Sequence, residues 1–269
     1  MQIFENILSK KELEELISYN NKKDKRTDAR PDVISKHPRW DLDEWPQKII
    51  QKILDQILDY RYNVEEVIFY TFKISFIIHV DSGRTENQRK GHGIIIPLDT
   101  IGPATTVFFD NYWHKPSTRF SREKILPFQY QLPNKHGKWT KIDDLRTLLS
   151  EAKNNPERIN DFEVTENFIQ ELEYLIEARS NKALAKTDDR CYDYSEIENY
   201  KKDAVIDNEI YEKYLNHIDR ESTNGLTLDG IAEWIPGNVF SWPRTQLHCA
   251  GSGHKEKTGI VIFTSPKVD

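Results

Sequence analysis

At 269 residues the chain can hold one large domain or two small ones, and it is long enough to bury a substantial core. Its formal net charge of −6, with acids and bases interspersed, excludes the basic face of a general nucleic-acid binder, and the 11% of aromatic residues excludes a disordered composition. The two cysteines, Cys191 and Cys249, stand far apart and make no disulfide framework, as suits a reducing cytoplasm.

Taken in chain order, residues 2–8 read as a short strand. Glu5 stands where a signal peptide would be basic, and no segment reaches transmembrane length. A soluble, cytoplasmic protein without a membrane partner is therefore expected. Ser9 and Glu12 form a capping box, with Leu8 and Leu13 in the staple positions, which predicts a helix over 10–19. Residues 21–31 are charged and read as a loop. A second helix is predicted from Asp43 to Leu58, because Trp45, Ile49, Ile50, Ile53, Leu54, Ile57 and Leu58 fall on one stripe, suited to packing on a sheet. From Glu66 the residues turn β-branched and aromatic. One long strand is predicted over 67–79, with further strands at 93–98 and 105–109.

Residues 115–215 are highly charged and read as a mostly helical insert. Ile142, Leu145, Leu148, Leu149 and Ala152 make one stripe, stopped by Asn154-Asn155-Pro156. Phe168, Ile169, Leu172, Leu175 and Ile176 make another, while 187–203, with Tyr192, Tyr194 and Tyr200 among acids, has no clear period. Strand character returns at 225–234 and 239–242 and lasts to the end. Strands split by an insert must pair across it. The expected class is α+β with a mainly β core, closed or sandwiched and antiparallel, flanked by helices. The β core would occupy about 66–114 and 225–266 of a single domain spanning 1–269.

Two histidines and one carboxylate on one face make a non-haem iron(II) centre with open positions. His79-Val80-Asp81 suits that chemistry on or just past a strand, where residues i and i+2 point to the same side. The chain has a second such triplet, His217-Ile218-Asp219, at the end of a charged helical stretch. On a helix i and i+2 diverge by about 200°, and a cation near a helix C-terminus is the plainer account of His217. His79 and Asp81 are therefore the predicted pair and His248 the predicted third ligand. A histidine hydrogen-bonded within a sheet is the plain alternative for His248, and His92, His114 and His254 are its rivals.

His79-x-Asp81, the distal His248 and Lys257, in this order, resemble the iron(II)/2-oxoglutarate-dependent dioxygenase superfamily. Its prolyl-hydroxylase-like branches place a lysine or arginine nine to ten positions beyond the distal histidine, and Lys257 lies nine beyond His248. Pro236-Gly-Asn-Val-Phe-Ser-Trp-Pro-Arg-Thr-Gln-Leu-His248 looks like the family's approach to the metal. Ile95–Leu98, Gly102 and Thr106–Phe109 look like the strands that follow the metal pair. The resemblance covers about 66–114 and 225–266 and leaves out the insert.

The resemblance implies a double-stranded β-helix (jelly roll, cupin-like) with supporting N-terminal helices. It implies Fe(II) on His79, Asp81 and His248, with 2-oxoglutarate and O2 as cosubstrates. Lys257 would take the far carboxylate of 2-oxoglutarate, since a buried cation needs an anion; Lys255 is its rival. Arg244, four residues before His248 and so on its face of an extended strand, is the candidate to reach a cosubstrate or substrate anion, with a salt bridge as the alternative. The implied reaction is hydroxylation of a small molecule, amino acid or peptide with release of succinate and CO2, and the carboxylate at Asp81 separates the chain from the related halogenases. A cupin-type metal enzyme that does not use 2-oxoglutarate, or a non-catalytic jelly-roll binding module, would give Lys257 no special role. The insert is expected to pack over the mouth of the barrel or to form a subunit contact.

Overall fold

The capping box sets the first helix. Ser9 N donates to Glu12 Oε2 at 2.9 Å, and Glu12 N donates to Ser9 Oγ at 3.3 Å. In the computed structural model β1 (Gln2–Phe4) leads into α1 (Lys10–Lys22), followed by β2 (Arg26–Thr27), β3 (Val33–Lys36), α2 (Glu44–Ile57) and β4 (Tyr62–Phe72). Next come α3 (Glu86–Arg89), β5 (His92–Ile101), β6 (Thr105–Tyr112), β7 (Arg119–Phe120), β8 (Tyr130–Pro133), β9 (Trp139–Ile142) and α4 (Leu145–Asn154). The last strands are β10 (Arg190–Cys191), β11 (Leu228–Glu233), β12 (Val239–Pro243), β13 (Gln246–Ala250) and β14 (Glu256–Pro266). The structure describes residues 1–22, 26–27, 33–36, 44–72, 75–83, 85–122, 130–133, 135, 139–142, 145–166, 168–170, 172–173, 176, 190–191, 193–253 and 256–268. Asp43, Leu175, Tyr192, His254 and Lys255, and parts of the predicted loop at 21–31, lie outside them. Among the described residues no helix is long and apolar enough to cross a membrane.

The architecture is mainly antiparallel sheet with a few helices. A seven-stranded sheet runs β1-β12-β5-β14-β4-β3-β2 and faces a three-stranded sheet, β11-β6-β13. Strand alternation sorts the residues of the large sheet. Val67, Phe69, Ile94, Ile96, Leu98, Ile260 and Ile262 point outward and bury against Leu16 of α1 and Ile49, Ile50, Ile53 and Leu54 of α2. The helical stripe thus has the packing partner its spacing called for, each such side chain contributing roughly 1.5–3 kcal/mol on burial. The opposite residues, among them Tyr70, Ile95, Phe240 and Trp242, point inward and meet Phe108 and Ala232 of the small sheet and Trp234 just past β11.

Two expectations change. The strand predicted over 67–79 ends as β4 at Phe72, and the chain at 75–83 belongs to the other sheet, where His79 bridges both His248 and Arg119. A run rich in β-branched and aromatic residues carries no mark of a change of sheet, because both sheets bury such residues. Nor are the described parts of 115–215 mostly helical. They contain β7, the β8–β9 hairpin and β10, besides α4 and further helical turns up to Leu215. Residues 194–226 lie on the outer face of the small sheet, where Tyr194, Ile197, Ile206, Leu215, Ile218 and Leu226 bury Val107, Phe109, Leu247 and Cys249. This part of the insert backs the sheet rather than covering an opening. Helix α4 stops at Asn154, as the Asn154-Asn155-Pro156 sequence predicts.

Candidate metal centre and its cavity

His248 sits in β13 opposite Phe108 of β6, and its backbone exchanges hydrogen bonds with His79 at 2.9 and 3.0 Å. Directly paired residues share a face, so both imidazoles project between the sheets while Cys249, their neighbour in sequence, points the other way. Asp81, two residues beyond His79, returns to the same side. One ligand atom from each of His79, Asp81 and His248 lies within 4.8 Å of the others, and no second such group occurs among the described residues. His248 Nε2 is 3.2 Å and His79 Nε2 3.9 Å from Asp81 Oδ2.

The imidazoles are oriented from behind. His79 Nδ1 bonds the Ile77 carbonyl at 2.8 Å and His248 Nδ1 bonds the Gln246 carbonyl at 3.1 Å, which turns each Nε2 toward the Asp81 carboxylate. Burial, helped by the neighbouring His248, lowers the pKa of His79 to about 4, although Asp81 opposes this. Burial alone would raise Asp81, but the hydrogen bond from His248 and the charges of His79, His248 and Arg244 outweigh it and hold the carboxyl at about 2. Two imidazoles and one carboxylate, with the outer ring nitrogens already engaged, fit a divalent transition metal.

The triad opens into a cavity of about 270 Å³ lined also by Tyr70, Phe72, Phe76, Thr106, Trp242 and Lys257. Two glycines shape its walls. A Cβ on Gly93 would stand 2.5 Å from Trp242 Cζ2, so glycine there lets the indole lie 4.9 Å from the His248 ring. A Cβ on Gly259 would stand 2.9 Å from Trp234 Cζ3, and that ring lies 4.6 Å beneath the Lys257 ammonium.

Lys257 opens the inner face of β14 and is only 3% exposed. Its Nζ meets the Thr105 carbonyl at 3.5 Å, and no carboxylate among the described residues lies within ion-pair reach. Burial lowers its pKa to about 7. Lys257 is therefore a buried amine lining the cavity of the triad, with no anion among the described residues to neutralise it.

Arg244 lies elsewhere. It is 5% exposed, its Nε donates to the Asp81 carbonyl at 2.7 Å, and its Nη1 meets Glu65 Oε2 at 2.9 Å. Its guanidinium braces the backbone of a triad residue from behind and does not line the cavity. His92 is bonded to Tyr60 at 2.9 Å, and His114 pairs with Glu198 on the surface, so neither approaches the triad. His217 is buried, its Nε2 held by the Phe76 carbonyl at 3.1 Å and its pKa lowered by burial to about 4. It is a neutral structural residue rather than a cation at a helix end. Asp219 caps the turn Arg220–Thr223 by accepting from Ser222 N. Ser117, Thr118 and Arg119 also line the cavity, though no motif in the sequence marks them. They fall in the stretch read as a helical insert, and only the pairing of Arg119 with His79 brings them there.

No family model and no curated protein sequence matches the chain. Among solved structures it is similar to HygX from Streptomyces hygroscopicus with nickel and 2-oxoglutarate bound. The identity is 8% and the TM-score 0.43, over 98% of this chain and 82% of that one. It is also similar to SnoN, a non-haem alpha-ketoglutarate-dependent epimerase from nogalamycin biosynthesis, at 6% identity and a TM-score of 0.45, over 98% and 77% of the two chains. A Trichoplax adhaerens prolyl hydroxylase in complex with a hypoxia-inducible-factor peptide matches at 8% identity and a TM-score of 0.36, over 98% and 83%.

Proposed function

We propose that the chain is a non-haem iron(II)- and 2-oxoglutarate-dependent oxygenase that hydroxylates a small molecule, amino acid or peptide with release of succinate and CO2. The observation that carries this reading is Lys257, a buried amine with no carboxylate partner among the described residues, in the same cavity as two histidines and an aspartate that can hold a metal. Leaving a charge buried and unpaired is costly, and an anionic ligand removes that cost. A cupin-type metal site with no dicarboxylate gives the amine nothing to do.

The strand order supports a double-stranded β-helix formed within one domain over 1–269. After β4 in the large sheet the chain passes to 75–83 and the small sheet, then to β5 in the large sheet and β6 in the small. After β11 in the small sheet it alternates again through β12, β13 and β14.

His79, Asp81 and His248 would hold the iron, which when bound supplies oxygen activation coupled to oxidative decarboxylation of 2-oxoglutarate. The protein's own contributions are positional. The Ile77 and Gln246 carbonyls fix the two imidazoles, and Arg244 fixes the Asp81 backbone. Lys257 in its protonated form anchors the far carboxylate of the cosubstrate, and the Trp242 and Phe108 rings beside His248 keep water from that side of the site. The test is 2-oxoglutarate conversion in air with and without iron(II). Iron-dependent succinate formation that is lost in Asp81→Ala is expected; conversion unaffected by Asp81→Ala overturns the assignment.

A further inference from the structure

The cavity has a second basic residue, on the other side of the triad. The segment 115–120 runs beside 78–83 as an added strand. Val80 N donates to the Thr118 carbonyl at 3.1 Å, Phe120 N to the Ile78 carbonyl at 2.8 Å and Ser117 N to the Gly83 carbonyl at 3.1 Å. Side chains tighten the pairing, with Gly83 N on Ser117 Oγ at 2.8 Å and Ser82 Oγ on the Lys115 carbonyl at 2.6 Å.

This register places Arg119 directly opposite His79 in an antiparallel bridge. Residues so paired project to the same face, with Cβ atoms about 5 Å apart. Phe108, His248, His79 and Arg119 thus form one row across four neighbouring strands, each about 4.8 Å from the next. Arg119 and Ser117, two residues apart and so on one face, both line the cavity.

Aromatic rings also line the cavity on this side. Phe72 and Phe76 meet edge to face with centroids 4.6 Å apart, and the Phe76 ring lies 6.0 Å from that of His79. A guanidinium presents a planar fork that matches the oxygens of a carboxylate or phosphate. A serine hydroxyl that accepts from Gly83 N still has its proton to donate. Lys257 belongs to a different strand, on the opposite sheet.

We infer that Arg119 and Ser117 form a second anion-binding station in this cavity, for the substrate, and that the substrate is an apolar, ring-bearing molecule carrying an anionic oxyacid group. The inference rests on the oxygenase reading of the same cavity. It adds that the two cations divide two anionic molecules between them, Lys257 holding the cosubstrate and Arg119 the substrate beside His79.

The test uses the full chain loaded with cobalt(II) without oxygen, read by the visible spectrum of the metal. The first arm titrates 2-oxoglutarate; if it does not bind, the oxygenase reading falls and this inference with it. The second arm titrates phenylacetate, phenyl phosphate and the neutral phenylacetamide into the 2-oxoglutarate-loaded protein. At least one anion is expected to bind tenfold or more tightly than the amide, and which of the two does so separates a carboxylate from a phosphate substrate. Arg119→Gln should erase that preference while leaving the 2-oxoglutarate affinity within twofold, and Arg119→Lys should restore part of it. Ser117→Ala, which removes only a hydroxyl, should weaken the anion several-fold. Equal binding of anion and amide, failure of all three probes to bind, or a tenfold loss of 2-oxoglutarate affinity in Arg119→Gln would each overturn the inference.

Discussion

Replacing Lys257 by methionine keeps much of the side chain's length and removes its charge. In the free protein, burial lowers the amine from its ordinary value of 10.5 to about 7, so keeping it protonated in the cavity costs on the order of 5 kcal/mol. An arriving carboxylate offsets that cost. In Lys257→Met the carboxylate enters the same apolar surroundings with no partner, and a half-broken buried ion pair costs roughly 3–5 kcal/mol. At about 1.4 kcal/mol per decade, the dissociation constant of 2-oxoglutarate should rise at least a hundredfold. Calorimetry on manganese(II)-loaded protein without oxygen reads this directly, with metal affinity as the internal control. The sign with pH follows from the depressed pKa. Above about 7 the free amine is neutral, so binding must take up a proton, and affinity should fall by up to tenfold per pH unit as pH rises further. A less than threefold loss of affinity in Lys257→Met, or affinity flat from pH 7 to 9, would refute the reasoning.

Other substitutions probe the scaffold. His217 has its folded pKa depressed from 6.5 to about 4, so protonation favours the unfolded chain; its contribution is intact above 6.5 and is lost as pH falls toward 4. Urea titrations should show that His217→Gln lacks roughly 3 kcal/mol of the wild-type acid destabilisation over that window. Gly93→Ala should destabilise the fold by about 1–3 kcal/mol and shift tryptophan fluorescence, because the new methyl must displace Trp242. Arg244→Met leaves Glu65 without its buried partner and frees the Asp81 carbonyl. It should cost roughly 1–3 kcal/mol in urea, because Glu65 keeps Gln88 and solvent as partners, and weaken metal binding, whereas unchanged metal affinity would detach Arg244 from the site.

Local patterns carried much of the fold. Ser9 and Glu12 mark the start of α1, the apolar stripe of α2 finds its sheet, and Asn154-Asn155-Pro156 ends α4. Strand alternation places His248 and Cys249 on opposite faces of β13 and separates His79-Val80-Asp81 from His217-Ile218-Asp219. What the sequence hid was long-range pairing. That β4 stops at Phe72 and the chain changes sheets before His79 is not marked in a run rich throughout in β-branched and aromatic residues. Arg119 reaches the triad only because 115–120 pairs with 78–83, inside a stretch whose charge density resembles a solvated helix. Arg244 shares a strand face with many possible anions, and its partner, Glu65, stands 179 residues away. Neither contact has a period or motif from which to be read.

In the proposed function one cavity binds a metal and 2-oxoglutarate together. Trp242 lies against His248 and Trp234 beneath Lys257, so tryptophan fluorescence reports on both ends. Titrating the iron(II)-loaded protein with 2-oxoglutarate without oxygen should give a saturable quench at one equivalent, absent without metal and absent in Lys257→Ala. A quench that persists in full without metal, or none with it, would contradict the account.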